Sequence, residues 1–404
     1  MLYAKLSSFC TKIGSGATPK GGASVYVESG VALIRSQNVY NLTFSQKGLT
    51  HITDDAAKKL AGVTVISGDV LLNITGDSVA RVCMVPDDVL PARVNQHVAI
   101  IRTKRNLSPL YLMYYLASPY MQSYMLNLAR GKGASRNALT KGMIENFIIP
   151  SKSIEEQNNI VSILSTYDDL IENNNKRIQI LEKMAENLYK EWFVRFRFPG
   201  HETAVFENGI PRGWKRVKLN DMIDFNPSIK KTDSIEYKII PMSALSTSSF
   251  LIDDSLYEVT DKLEGCRSCN GDTLLARITP CLENGKTGFV YGLKDGEVVG
   301  GSTEFIVMRA KTISPFLVYF IARDPLFRNY AIASMNGADG RQRVKVKKLE
   351  KLQWIRPARN VNSEFNEKCG FLFELIYKLH GKNKNLIRQR DLLLPRLMNG
   401  TLEI

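Results

Sequence analysis

The chain has 404 residues, 44% of them hydrophobic and 23% charged, and a formal net charge of +14. That length exceeds one ordinary core and allows two domains, and the balance excludes a disordered chain. The longest apolar run, about eight residues around Leu110 to Ala117, is well short of the ~20 that cross a bilayer. The basic excess favours a polyanionic partner, since each neutralised phosphate releases counterions.

From the N-terminus, MLYAKLSSFC lacks an apolar core followed by small cleavage-site residues, so a cytoplasmic protein is expected. Gly68-Asp69-Val70-Leu71-Leu72 reads as a turn and a strand, and Val98-Ala99-Ile100-Ile101 as another strand. Before the latter, Asn95-Gln96-His97 either presents amides to a DNA groove or serves a turn. Ser108 to Pro119, SPLYLMYYLASP, opens an apolar helix with Pro at a favourable first position, and a second Pro punctuates it. The glycine-bearing segment that follows carries Arg130, Lys132, Arg136, Asn137 and Lys141. NFIIP, ending at Pro150, is a short closing strand.

A long helix without Pro is then predicted, from roughly Glu155 to Phe193. Leu164, Tyr167, Ile171, Ile178, Leu181, Ala185, Leu188 and Trp192 give it coiled-coil spacing, interrupted by Asn174 within three consecutive asparagines. Its length would be about 58 Å at ~1.5 Å per residue. That exceeds one turn of DNA, ~34 Å, and suits a spacer. The Gly- and Pro-rich stretch from Phe198 to Trp214 is the natural boundary.

Beyond it the chain repeats itself at a period of roughly 205 residues. Gly271-Asp272-Thr273-Leu274-Leu275 answers the first Gly-Asp strand, and Phe305-Ile306-Val307-Met308 reads as a strand. SPFLVYFIARDP, Ser314 to Pro325, answers the Ser-Pro helix, and LQWIRP closes at Pro357. NGADGRQR, ending at Arg343, lines up with RGKGASR, ending at Arg136, and Arg277 stands at a place similar to Arg81. From Arg341 to Arg359 there are eight basic residues and one acid, Glu350. A second long helix follows, with Phe365, Leu372, Leu379, Leu386 and Leu393 stepping by sevens and Asn383 at its polar centre. Two helices with Asn-rich middles predict an antiparallel pair whose polar centres meet and fix register; the alternative is that both runs are solvated.

The expected fold is α+β. Two globular heads form a pseudo-twofold tandem repeat, joined by two long antiparallel coiled-coil helices. The boundaries are 1–150 for the first head, 151–197 for the central helical region, 198–357 for linker and second head, and 358–404 for the last helical region.

Recurrence of one basic, glycine-bearing loop in both copies favours DNA contact over a solvated loop. Arg with Asn or Gln can read purine edges bidentately. The candidate DNA-binding residues are Arg81, Asn95, Gln96, Arg130, Lys132, Arg136, Asn137, Lys141, Arg277, Arg341, Gln342, Arg343, Lys345 and Lys347. Arg81 is equally a candidate for an ion pair. The helix-pairing and partner-docking set is Leu164, Ile171, Asn174, Ile178, Leu181, Leu188, Trp192, Leu372, Leu379, Asn383, Leu386 and Leu393.

No catalytic or metal constellation is read. Cys266-Arg-Ser-Cys269 has half a zinc site's spacing without a second half, so the six cysteines are expected to be free thiols. Gly14-Ser15-Gly16-Ala17-Thr18-Pro19 follows no clear strand, and Phe225-Asn226-Pro227-Ser228 lacks the second Pro and aromatic of an adenine-methyltransferase clamp. There is no phosphate-binding GxxxxGK[ST] loop. Paired Asp87-Asp88 and Asp253-Asp254 read as turn residues.

Glu155-Glu156-Gln157, Ile163-Leu164, Leu181-Glu182-Lys183-Met184-Ala185 and Leu188-Tyr189-Lys190-Glu191-Trp192-Phe193-Val194 together resemble the central conserved region of type I restriction-modification specificity (S) subunits. Phe198-Pro199-Gly200-His201, Pro211-Arg212-Gly213-Trp214-Lys215 and Leu394-Pro395-Arg396-Leu397 extend the resemblance over essentially the whole chain. It implies two target-recognition domains, each reading one half of a bipartite and here asymmetric site in double-stranded DNA. It further implies helices that dock two methyltransferase subunits for adenine N6 methylation, with endonuclease subunits joining for restriction. This chain would bind no cofactor: S-adenosylmethionine would lie in the methyltransferase partner, ATP and Mg in the endonuclease partner, and no membrane is involved. Two departures stand out. The first copy lacks the Pro-x-Gly-Trp opening, and the second helical region begins Asn362-Ser363-Glu364-Phe365 instead of Glu-Glu-Gln. A self-contained or fused methyltransferase-nuclease with a similar recognition architecture is the alternative in another class. A coiled-coil scaffold without a DNA role is a third reading, disfavoured by the basic loops.

Overall fold

A computed structural model describes residues 2–130, 137–230, 235–337 and 342–402. The chain divides into two units, residues 1–171 with 384–404, and residues 172–383. Each unit therefore combines a predicted head with a stretch of both predicted helical regions.

In the first unit, Leu2–Lys5 pairs antiparallel with Ile148–Ser151. An antiparallel sheet runs in the order Val82–Met84, Val70–Asn73, Val98–Thr103, Cys10–Ser15. A second, mixed sheet has Ala92–Val94 parallel to Val31–Ile34 at its centre. The central strands are apolar over Val70–Leu72 and Val98–Ile101 because both their faces are covered there. Val70, Leu72, Ala99 and Ile101 pack towards the helices, while Leu71, Val98 and Ile100 pack against the second sheet. This is why they read as continuous apolar runs.

The second unit repeats the plan. Ile223–Phe225, Phe305–Ala310, Thr273–Ala276 and Thr287–Phe289 form its antiparallel sheet. Tyr237–Ile240 runs parallel to Val299–Gly301 in the other, and Lys215–Lys218 pairs with Gln353–Arg356. The first copy's missing Pro-x-Gly-Trp thus costs it no closing strand.

In each unit the Ser-Pro sequence starts a helix, Pro109–Ala117 or Pro315–Arg323, capped by Ser108 or Ser314. The second proline does more than end that helix. It begins another, Pro119–Ala129 or Pro325–Ala333, capped by Ser118 or Asp324. Proline suits this first position because its missing N–H would be unpaired there anyway.

The long helices are Ile154–Tyr189, continued by a π-helical turn at Lys190–Val194, and Arg359–Met398. In the first unit Ile160 and Leu164 share a core with Leu394, Leu397 and Met398, and Arg390 Nη1 meets Asp168 Oδ1 at 2.5 Å. In the second, Trp192 lies on Phe365 and Asn174 on Asn383. Rising numbers on one helix meet falling numbers on the other, so the pair is antiparallel in both units.

The polar centres do meet. Asn174 Nδ2 donates to Asn383 Oδ1 at 2.8 Å, and Asn383 Nδ2 donates to Asn175 Oδ1 at 2.8 Å, with Asn383 only 5% exposed. Of the expected seam, Leu164, Ile178, Trp192 and Leu379 are buried, whereas Ile171, Leu181, Leu188, Leu372, Leu386 and Leu393 are half-buried. Cys369, Phe373 and Ile376 are buried more deeply than Leu372. Phe373 also stacks on Phe250 and packs against Phe316, so this helix faces its own head as well as its partner helix. Two contact surfaces widen the buried face beyond a strict heptad.

Candidate nucleic-acid interface

In both units the antiparallel sheet ends in one backbone frame. In the first, Ile74 N–H donates to His97 O (3.0 Å), Leu139 N–H to Ile74 O (2.8 Å) and Gly76 N–H to Asn137 O (3.0 Å). In the second, Arg277 N–H donates to Glu304 O (3.0 Å), Val344 N–H to Arg277 O (2.9 Å) and Thr279 N–H to Gln342 O (3.2 Å). Isolated bridges pair Thr75 with Ala138 and Ile278 with Arg343. His97 N–H also donates to Asn95 Oδ1, as Glu304 N–H does to Ser302 Oγ.

These bonds fix which residues correspond, and two of the expected matches change. Arg277 corresponds to Ile74. The counterpart of Arg81 is Lys286, because Asn73 N–H donates to Arg81 O and Ala276 N–H to Lys286 O. Arg343 corresponds to Ala138, not to Arg136. Asn137 and Gln342, both amides, keep their residue class across the frame, as do the cations Arg81 and Lys286 and the aliphatic Leu139 and Val344.

In the first unit His97 Nδ1 shares a hydrogen bond with Thr75 Oγ1 at 2.6 Å, and its Nε2 lies 3.1 Å from Gln96 Nε2. Exposed Gln96 also accepts from Thr18 Oγ1. Asn95 is 9% exposed and its oxygen is spent on the His97 amide, so it serves the turn. The Arg81 guanidinium lies over the Tyr40 ring, 4.8 Å from its centroid, rather than in an ion pair. Arg130 is exposed at the end of its helix, and exposed Lys141 lies 3.5 Å from Glu145. Lys132, Arg136 and Arg341 lie outside the described residues.

In the second unit Glu304 organises the cations. Arg343 Nε lies 2.9 Å from both Glu304 carboxylate oxygens and Arg343 Nη2 lies 2.5 Å from Oε1. The Arg343 hydrogen bonds, and then the nearby charges of Arg343 and Arg277, hold the Glu304 carboxyl below the usual carboxylate range. Arg277 is half-buried, with Nη2 3.4 Å from Val344 O and a buried Nε that has no hydrogen-bond partner. Lys286 Nζ donates to Met242 O at 2.9 Å. Gln342 is half-buried, while Lys345 and Lys347 are exposed at the start of the helix Val346–Lys351.

Behind each frame a buried aspartate pairs with a partly exposed arginine. Asp69, fully buried, accepts from Arg102 Nε and Nη2 at 2.8 Å each and from Ile66 N–H. Asp272 accepts likewise from Arg309 Nε and Nη2 at 2.7 Å and from Cys269 N–H. The Gly-Asp motif thus anchors the strand that carries the frame.

Sequence reasoning passed over Glu304 and Lys286, and it named His97 with Asn95 and Gln96, and Thr75 beside Arg81, without placing either among the DNA-binding residues. The available signal was position: His97 and Glu304 each stand immediately before the corresponding strands Val98–Thr103 and Phe305–Ala310.

The remaining motifs have local explanations. Cys10–Ser15 is a strand continued by Gly16, where a Cβ would lie 2.0 Å from Val94 O. Asn226 ends a strand by binding Val307 through both its backbone N–H and its Oδ1. Among the described residues no group of three or more His, Cys, Asp or Glu is placed to hold a metal ion, and no helix is long and apolar enough to cross a membrane.

Residues 3–183 match the family model of the type I restriction modification DNA specificity domain. The type I restriction enzyme MjaIX specificity subunit of Methanocaldococcus jannaschii is 24% identical, over 97% of this chain and 91% of its own length. The HindI specificity subunit of Haemophilus influenzae is 21% identical, over 92% of this chain and 94% of its own. Residues 3–183 thus carry the type I specificity domain, and the chain is similar to type I specificity subunits over nearly its whole length. The crystal structure of the S subunit from M. genitalium shares the fold, with a TM-score of 0.56 at 12% identity over 98% of this chain and 96% of that one. Specificity subunits, which this chain resembles over nearly its whole length, are the non-catalytic part of such systems. Its architecture is the expected one, two α+β heads with two long helices running from one unit into the other.

Proposed function

We propose that this specificity subunit reads a bipartite, asymmetric double-stranded DNA site, one half through each head. The observation that carries the proposal is the doubled frame. Two sheets end in the same backbone hydrogen bonds but carry different polar side chains, His97 and Thr75 in one, Glu304 and Arg343 in the other. Equal frames with unequal side chains suit two modules that approach DNA alike and read different bases. The net charge of +14 supplies the sequence-independent part of binding.

In this reading the long helices hold the heads and dock two methyltransferase subunits. Those subunits bring S-adenosylmethionine and methylate adenine N6, while endonuclease subunits bring ATP and Mg when restriction occurs. The assembly acts in the cytoplasm.

The test is genome-wide mapping of methylated adenines in cells with and without the chain. A bipartite motif that vanishes on deletion is expected. Methyl transfer to DNA by the purified chain with S-adenosylmethionine, without another subunit, overturns the division of labour.

A further inference from the structure

We propose that Glu304 is a positioning residue that presents Arg343 to a guanine in the half-site read by the second unit, and that the first unit lacks this reader. The inference rests on the DNA-reading function proposed above. Arg343 has five N–H donors, and Glu304 engages Nε and one face of Nη2. The outward fork of Nη1 and Nη2 is left presented as a planar pair of donors. Such a fork matches guanine O6 and N7 in the major groove. The arginine side chain remains 45% exposed while Glu304 is 24% exposed, so the carboxylate sits behind and the guanidinium in front.

The support is itself fixed. Glu304 N–H is held by Ser302 Oγ, Glu304 O accepts from Arg277 N–H, and Arg343 lies in a backbone bridge with Ile278. A reading arginine held at both backbone and guanidinium loses little rotamer freedom on binding, and that favours discrimination over loose phosphate contact.

In the first unit the same two positions hold His97 and Ala138. His97 is engaged with Thr75, and alanine has no donor to offer. The two half-sites are therefore read by different chemistry at one shared position of the frame.

The experiment maps methylated adenines in cells producing the full chain as Arg343→Lys, as Glu304→Gln, and with His97→Glu and Ala138→Arg combined. The parent motif is expected to hold a G in one half. Arg343→Lys keeps the charge but loses the fork, and should relax that G about 5- to 150-fold, leaving the other half intact. Glu304→Gln should relax the same position and no other. The implanted pair should alter the first half only, towards G. A parent motif without G in either half, or both second-unit variants leaving the motif unchanged while the purified proteins melt like the parent, overturns the inference. Failure to find any bipartite motif for the parent chain refutes the DNA-reading function instead. If Glu304→Gln misfolds, Arg343→Lys and the implanted pair still decide the question.

Discussion

Asp69→Asn is the sharpest probe of how the backbone frame is held. The substitution keeps the shape of the side chain but removes the charge that receives Arg102 Nε and Nη2 at 2.8 Å each. Hydrogen bonds to charged groups contribute about 1.5–3 kcal/mol each, and breaking one side of a buried pair costs about 3–5 kcal/mol. The Arg102 side chain is 27% exposed, so water can partly rehydrate the orphaned guanidinium. That places the loss at the low end, about 3 kcal/mol. For a unit of about 190 residues this lowers the melting midpoint by roughly 6–12 °C. Thermal melts followed by circular dichroism, with urea titrations to check that the m-value is unchanged, measure it. Asp272→Asn should act on the second unit by a similar amount, since Arg309 is 32% exposed. A melting midpoint within a degree or two of the parent for both variants would refute the view that these aspartates anchor the strands.

Three further outcomes follow from the packing. Asn383→Ala removes two side-chain hydrogen bonds at the helix centre and should cost about 1–2 kcal/mol, whereas Asn383→Leu should lose less or gain; urea denaturation distinguishes them. Gln157→Ala and Asn362→Ala each leave a Ser-Pro helix amide, at Ser108 or Ser314, without its acceptor, at about 1–2 kcal/mol; faster hydrogen exchange at that amide alone is the expected sign. Half-buried Glu182 lines a 660 Å³ cavity of the second unit, and desolvation raises its pKa despite hydrogen bonds from Ser249 and Phe250. The folded protein therefore holds a proton that the unfolded chain releases at lower pH, and this carboxyl costs stability as pH rises above its ordinary value. Glu182→Gln keeps the acceptor, so it should raise the melting midpoint at pH 7 and leave it unchanged near pH 4.

What could be read from the amino-acid sequence depended on whether the governing interaction was local. Ser108 and Ser314 before Pro cap helices by nearest-neighbour chemistry, and the Asn-rich centres interrupt a regular apolar spacing, so both features were visible. Correspondence between the copies was not local. Spacing drifts from 203 residues between Gly68 and Gly271 to 206 between Ser108 and Ser314. Arg81 and Arg277 look alike by residue type although they stand 196 residues apart, while the sheet register pairs Arg81 with Lys286, 205 residues away. Residue type misled in the same way at Arg136 and Arg343.

The helical departure shows the opposite case, where unlike residues do the same work. Gln157 Oε1 accepts from Ser108 N–H at 2.8 Å, and Asn362 Oδ1 accepts from Ser314 N–H at 2.9 Å. The loss of Glu-Glu-Gln from the second helix thus leaves its junction with the head intact. Glu304 was passed over because an acid is an unlikely reader of DNA when considered alone. Its meaning comes from Arg343, 39 residues away in sequence and in contact through the sheet. A specificity subunit built by duplication keeps the backbone frame and the junctions while changing the side chains that the frame presents. Charge composition can point to such a surface, but the pairing of an acid with the arginine in front of it belongs to the fold.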